Sequence, residues 1–280
     1  MRSVTTARAT SIVLLVVAAL LGGAYLIGRE LFTDRHLSPA PHHLTVAGAH
    51  DPDVRPKPSA EPSRAPERAH GQVRLSSEEG GPSGARMTTG SAQVALTFDD
   101  GPDPTWTPLI LDVLRRAQVK ATFCLVGENA EAYPDLVRAI VAEGHTVCNH
   151  TWNHDLDLGT RPRQDIEADL QRTSNAIHAA AAQTSIQYFR QPGGAWTDQV
   201  VAVADELGMT SLHWAVDPRD WEVPGAASIA ATVIQGVEAG SIVLMHDGGG
   251  DRQGSVTALD AILPDLMRRF AFEALPVGRT

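Results

Sequence analysis

The chain has 280 residues, a net charge of −10 and 43% hydrophobic residues, enough for one sizeable folded domain with attachments. No basic run stands out in its second half, which sets nucleic acid aside as a partner. Only two cysteines occur, Cys124 and Cys148, so no disulfide framework holds the fold.

Arg2 and Arg8 precede a nearly unbroken apolar run from Ala9 to Gly28. About 20 such residues cross a bilayer, and positive charge ahead of them favours an N-terminus left in the cytoplasm. Residues 1–28 are therefore expected to be a transmembrane anchor. The alternative is a signal peptide cleaved near Gly22-Gly23-Ala24. The first reading puts the remainder outside the cell on a membrane tether, and the second secretes it. Residues 29–90 are rich in proline, charge and small side chains, with few large apolar groups. Such a stretch cannot bury enough surface to offset its ordering entropy, and it reads as a disordered linker. His42, His43 and His50 fall in it as solvated residues.

From residue 91 onward apolar segments alternate in type. Strands are expected over Gln93–Phe98, Ala121–Val126, His145–Asn149, Gln187–Arg190, Met209–Trp214 and Ser241–His246, with a weaker one over Phe272–Val277. Helices are expected over Trp106–Ala117, Tyr133–Glu143, Arg163–Ala182, Asp198–Leu207, Ser228–Glu238 and Ser255–Phe270. Gly144 and Gly208 stand where C-terminal stops belong. Alternating strands and helices imply an α/β fold with a parallel sheet covered by helices. About seven such units are too few for a complete eight-fold barrel, so a distorted, incomplete (β/α) barrel of about seven parallel strands fits best. No Gly-x-Gly-x-x-Gly follows the first strand, which counts against a dinucleotide site.

Polar residues gather at the expected strand ends. The first strand runs into Thr97-Phe98-Asp99-Asp100-Gly101-Pro102. Neighbours on a strand point to opposite faces, so both carboxylates reach one site only if the backbone turns there, a turn Gly101-Pro102 can supply. Two close carboxylates repel unless a cation or a proton lies between them. The third strand ends in His150-Thr151-Trp152-Asn153-His154, whose two imidazoles, with Asp100, would form a two-His, one-carboxylate set with positions open for water. Arg190-Gln191-Pro192-Gly193-Gly194 follows the fourth strand. Its arginine could hold the second Asp, and its glycines could present N–H groups to an oxyanion. After the fifth comes Asp217-Pro218-Arg219-Asp220-Trp221, an acidic partner for a histidine beside an aromatic platform for a sugar. The sixth ends at His246, placed to act as a general acid.

Together these segments resemble the five ordered motifs of the NodB-homology polysaccharide deacetylases, the family-four carbohydrate esterases, across residues 91–280. The resemblance implies a distorted (β/α) barrel and a divalent metal, usually zinc, on Asp100, His150 and His154. It implies Asp99 as general base held by Arg190, and His246 as general acid tuned by Asp220. Trp221 and Leu244 would line a pocket for the acetyl methyl. Many relatives carry a bulky aromatic where Gly193 stands; its N–H can still serve the oxyanion, but that wall of the groove would be lost. The activity implied is removal of N-acetyl groups from N-acetylglucosamine in an extracellular polysaccharide. A membrane tether beside the cell wall favours peptidoglycan. The alternatives are a chitin-oligomer deacetylase, an O-acetyl xylan esterase and, remotely, an inactive carbohydrate-binding domain. Adjacent carboxylates argue against a glycosidase, whose pair must flank the bond. Because neighbouring parallel strands fit disulfide geometry poorly, Cys124 and Cys148 are expected as buried free thiols.

Overall fold

The computed structural model describes residues 80–277. The apolar run at 9–28, and most of the stretch read as a linker, lie outside the described residues. Among the described residues no helix is long and apolar enough to cross a membrane.

Six strands form one parallel sheet: β1 (Ala95–Asp99), β2 (Thr122–Leu125), β3 (Thr146–Asn149), β4 (Ile186–Phe189), β5 (Thr210–Ser211) and β6 (Ile242–His246), in the order β5-β4-β3-β2-β1-β6. Seven helices connect and cover them: α1 (Trp106–Ala117), α2 (Gly127–Ala132), α3 (Pro134–Ala142), α4 (Arg163–Ala180), α5 (Asp198–Glu206), α6 (Ala226–Gly236) and α7 (Gln253–Arg269). Short α2, which has no periodic apolar face, is the one the sequence did not signal. Apolar positions at helical spacing place each buried stripe, as with Ile110, Leu111 and Leu114 on α1 or Leu259, Ile262, Leu263 and Leu266 on α7.

Strand alternation sorts the sheet into two faces. Leu96, Phe98, Phe123, Leu125, Val147, Val243 and Met245 join the main core cluster with residues of α1, α3, α6 and α7. The opposite face carries a smaller cluster of Ala95, Cys124, Cys148, Tyr188, Leu212 and Ile242. Above it, at the C-terminal ends of the strands, lie the polar residues of the motifs.

The sheet curls toward closure. Ala215 donates to the Ile242 carbonyl (2.9 Å) and Leu244 to that of Val216 (2.9 Å), so the chain just after β5 meets β6. Residues 80–90, read from composition as the end of the linker, belong to this domain. Arg86 bridges Leu212, and Thr88 bridges Ser241, so the segment straps the β5 and β6 sides together. Their small polar residues carry no periodic apolar signal, which is why composition assigned them to the linker.

Two further expectations are corrected. Phe272–Val277 is not a seventh strand. After one bridge between Phe272 and Val94 it crosses beneath the sheet. The Leu275 N–H donates to Thr122 Oγ1 (3.0 Å), Thr146 Oγ1 donates to the Leu275 carbonyl (2.7 Å) and Tyr188 Oη to that of Pro276 (2.6 Å). Leu275 is fully buried and floors the interior. The cysteines are not free thiols, because Cys124 and Cys148 form a disulfide. The register of β2 and β3 pairs them directly, their Cα atoms 4.1 Å apart, so both side chains leave the sheet on one face at one level.

Candidate active site

The first strand delivers both carboxylates to the same place because the backbone reverses at Asp100 itself. Its φ is +73°, in the left-handed region that Asp tolerates better than most residues. The turn expected at Gly101-Pro102 therefore begins one residue earlier. Gly249 comes up against this corner at φ +72°, where a Cβ would sit 2.5 Å from Asp100 Oδ2. Thr151 (φ +67°) and His154 (φ +59°) are also left-handed, so the two imidazoles converge through a bent loop and not along a helical turn.

The Asp100, His150 and His154 ligand atoms lie within 4.8 Å of one another. Asp100 Oδ1 stands 3.4 Å from His150 Nε2 and 3.2 Å from His154 Nε2, and it is a buried oxygen without a hydrogen-bond partner. His150 places Nδ1 2.8 Å from the Arg190 carbonyl. Donation to that carbonyl leaves the Nε2 lone pair directed at Asp100. An unpartnered carboxylate oxygen and two imidazole nitrogens fit a divalent cation with N/O preference, zinc among them. Burial works to raise the Asp100 carboxyl, yet the adjacent imidazoles of His150 and His154 and the field of His246 hold it well below the usual carboxylate range. The same contact with Asp100 raises His154.

Asp99, Arg190 and Thr97 form a second, buried group. Arg190 Nη1 donates to Asp99 Oδ1 (2.7 Å) and to Thr97 Oγ1 (2.8 Å), while Nε and Nη2 donate to the Leu212 and His213 carbonyls (3.4 and 3.2 Å). Asp99 Oδ2 faces the two imidazoles, 3.6 Å from His150 Nε2.

His246 and Asp220 form the third. His246 Nδ1 lies 2.6 Å from Asp220 Oδ1, and Asp220 Oδ2 accepts from the His246 N–H (3.0 Å) and from Ser255 Oγ (2.6 Å). Burial opposes the imidazolium charge, but the bond to Asp220, with Asp100 and Asp99 beyond, outweighs it and raises His246 to about 9.

One cavity of ≈ 480 Å³ joins these groups. Asp99, Asp100, His150, His154, Gly193, Trp221, Leu244 and His246 all line it. Arg190 and Asp220 stand behind the wall, almost fully buried. Each residue expected from the sequence to belong to the site thus lines this cavity or stands directly behind it. Trp221 is 47% exposed and is not a core residue.

The cavity also includes residues the sequence did not single out: Leu156, Trp214, Gly249 and Arg252. Leu156 replaces part of the wall expected to be missing at Gly193. A Cβ on Gly193 would meet Leu156 Cδ2 at 2.8 Å, and Gly193 is left-handed at φ +61°. Spacing two residues beyond His154 was the available signal for Leu156; nothing local marks Trp214. Asp247, next to His246, braces the corner from below. Its N–H donates to the Asp99 carbonyl (3.0 Å), and its Oδ2 accepts from Thr107 Oγ1 (2.6 Å).

Residues 86–212 match the family model described as polysaccharide deacetylase. A chitooligosaccharide deacetylase of Sinorhizobium fredii is 41% identical over 202 residues, covering 68% of this chain and 94% of that protein. A peptidoglycan-N-acetylglucosamine deacetylase of Bacillus cereus is 40% identical over 178 residues, covering 63% and 82%. The crystal structure of a peptidoglycan N-acetylglucosamine deacetylase, solved with 4-naphthalen-1-yl-N-oxidanyl-benzamide, superposes with a TM-score of 0.65 at 38% identity, over 69% of this chain and 90% of that one.

Proposed function

The chain belongs to the polysaccharide deacetylase family, the NodB-homology or family-four carbohydrate esterases, and we propose that it is a metal-dependent deacetylase of peptidoglycan N-acetylglucosamine. The observation that carries the chemistry is the unpartnered, buried Asp100 Oδ1 facing two imidazole nitrogens, with Asp99 and His246 on the same cavity.

A divalent ion held by Asp100, His150 and His154, for which zinc is our assignment, would supply polarisation of the acetyl carbonyl and a lowered pKa for water. Asp99 takes the proton of the attacking water on Oδ2, the oxygen that Arg190 leaves unengaged. Arg190 fixes the plane of that carboxylate through Oδ1. The backbone N–H of Gly193, unscreened by any side chain of its own, serves the developing oxyanion. His246 delivers a proton from Nε2 to the departing amine while Asp220 holds Nδ1. The acetyl C–N bond breaks, giving acetate and a free glucosamine residue. Trp221, Leu244 and Leu156 present apolar surface to the acetyl methyl and the sugar face.

Relatives named for chitooligosaccharides support a second reading, in which short neutral oligomers are the substrate. Peptidoglycan is preferred because the apolar run at 9–28 would tether the domain at the cell membrane, facing the wall. The test is acetate release by the full-length protein from peptidoglycan strands, chitin oligomers and acetylated xylan, before and after chelation and zinc return. Chelator-sensitive release from N-acetyl substrates is expected, with peptidoglycan first. Release from xylan alone would make the protein an esterase. Saccharide binding with no acetate from any substrate would make it a binding domain.

A further inference from the structure

The basic side chains around the cavity stand against carboxylates, with one exception. Asp99 is matched by Arg190, His246 by Asp220, and Asp100 belongs with the cation. That leaves Arg252, which lines the same cavity and is 3% exposed, with no carboxylate partner among the described residues. Its Nε donates to the Gly248 carbonyl (2.7 Å) and its Nη1 to that of Asp251 (3.0 Å). These carbonyls satisfy two donor positions and leave the charge unbalanced. The Asp251 carboxylate is engaged elsewhere, accepting from the Gln253 N–H (2.9 Å). The other acid on this wall, Asp217, accepts from the Arg219 N–H (2.8 Å).

Burying an unpaired guanidinium is costly unless an anion arrives to pair with it. The structure also keeps its free end open. Nη2 makes no hydrogen bond among the described residues, and the position a Cβ would take on Gly250 lies 3.4 Å from it. Gly250 has φ +149°, a backbone conformation that L side chains rarely adopt, so the backbone there disfavours a side chain that would cover Nη2. A planar guanidinium fixed on two of its nitrogens and free on the third is pre-organised for a carboxylate.

We infer that Arg252 binds a carboxylate on the sugar adjoining the reacting N-acetylglucosamine, so that this enzyme takes an anionic glycan in preference to a neutral one. This rests on the deacetylase reading, which places the reacting sugar in the cavity. The chemistry fits peptidoglycan strands in which N-acetylglucosamine alternates with a sugar whose lactyl carboxyl is free because the stem peptide has been removed. A chitooligosaccharide offers no such group.

The experiment uses the full-length chain carrying Asp99→Asn, so that glycan is not consumed. Calorimetric titration compares peptide-free peptidoglycan strands, the same strands methyl-esterified at the lactyl carboxylate, and chitotetraose. One charge-assisted pair should make the free-carboxylate strands bind about 10-fold or more tightly than the esterified ones. Arg252→Gln in the same background should bring that ratio close to one, and Arg252→Lys should restore part of it. Because the readout is a ratio within one preparation, a general loss of folded protein does not alter it. Equal binding of free and esterified strands by the Arg252 protein overturns the inference without any variant at 252. So does an unchanged ratio in Arg252→Gln. Acetate release by the wild-type protein is followed separately. No release from either glycan would refute the deacetylase reading, while the binding ratio would still decide the role of Arg252.

Discussion

Asp99 and Asp100 are neighbours in sequence and have different work because their partners differ. Asp100 offers a bare oxygen to two imidazoles, whereas Asp99 is held on one side by a fully buried arginine. Asp99→Asn should lower turnover about 1,000-fold, the scale of a lost general base, and leave bound metal at one equivalent. His150→Ala should lose both, as read by acetate release alongside metal analysis. Full metal occupancy and activity in His150→Ala would refute the ligand assignment. His246 gives a pH signature. Its pKa is raised in the folded protein, so the protonated acid persists through neutral pH and is lost as pH rises toward about 9. The stability linked to that proton has the same sign: it is complete below the unfolded imidazole's pKa and vanishes through the folded one. A cation held by Asp100, His150 and His154 would repel the imidazolium and draw the alkaline limb of kcat/KM below that value. In Asp220→Asn the strongest of the groups that raise the imidazole is gone, leaving only Asp100 and Asp99 against burial, so the limb should move to lower pH. A limb that stays in place would show that it reports another group.

At the scale of elements, the cavity is as rigid as what lies under it. The C-terminal tail floors the interior through Leu275 and ties to β2, β3 and β4 by way of Thr122, Thr146 and Tyr188. Leu275→Ala should destabilise the protein by about 3 kcal/mol, measured by urea unfolding, because a fully buried leucine leaves a cavity that the strands around it cannot collapse to fill. An unchanged midpoint would mean that the tail is not part of the cooperative unit. This tail also marks the limit of sequence reading. Phe272–Val277 has the composition of a strand, but beyond its single bridge to Val94 its bonds go to side-chain hydroxyls and not along a neighbouring backbone, which no periodicity reveals. The six strands that do pair were legible, since each is a short apolar run ending in polar residues. So was the site, because parallel strands deliver their ends to one rim. The disulfide was not, since it depends on the register that sets Cys124 level with Cys148. Nor was Arg252, whose isolation from carboxylates exists only in three dimensions.

For the whole molecule, the decisive question is how a sheet of six strands closes without the missing ones. The segment after β5 reaches β6 directly, and residues 85–89 complete the seam. The Arg86 N–H donates to the Ser211 carbonyl, the His213 N–H to that of Arg86, and the Thr89 N–H to that of Gly240, each at 2.8 Å. Ala85 is fully buried in the seam. The strap is also linked to the chemistry. It holds His213, whose carbonyl accepts from Arg190 Nη2, and Arg190 in turn fixes Asp99. A fragment beginning at Ser91 therefore loses more than a tether. Removing three backbone hydrogen bonds at about 1 kcal/mol each should make it about 3 kcal/mol less stable in urea than a fragment beginning at Gly80. Loosening the segment at His213 should also lower kcat more than it raises KM, because the displaced group is Asp99, the proposed general base, and not Trp221. Equal midpoints and equal kcat for the two fragments would show that the contacts of residues 215 and 216 with β6 suffice to close the barrel. A lower midpoint with unchanged kcat would show that the strap stabilises the fold without reaching Asp99.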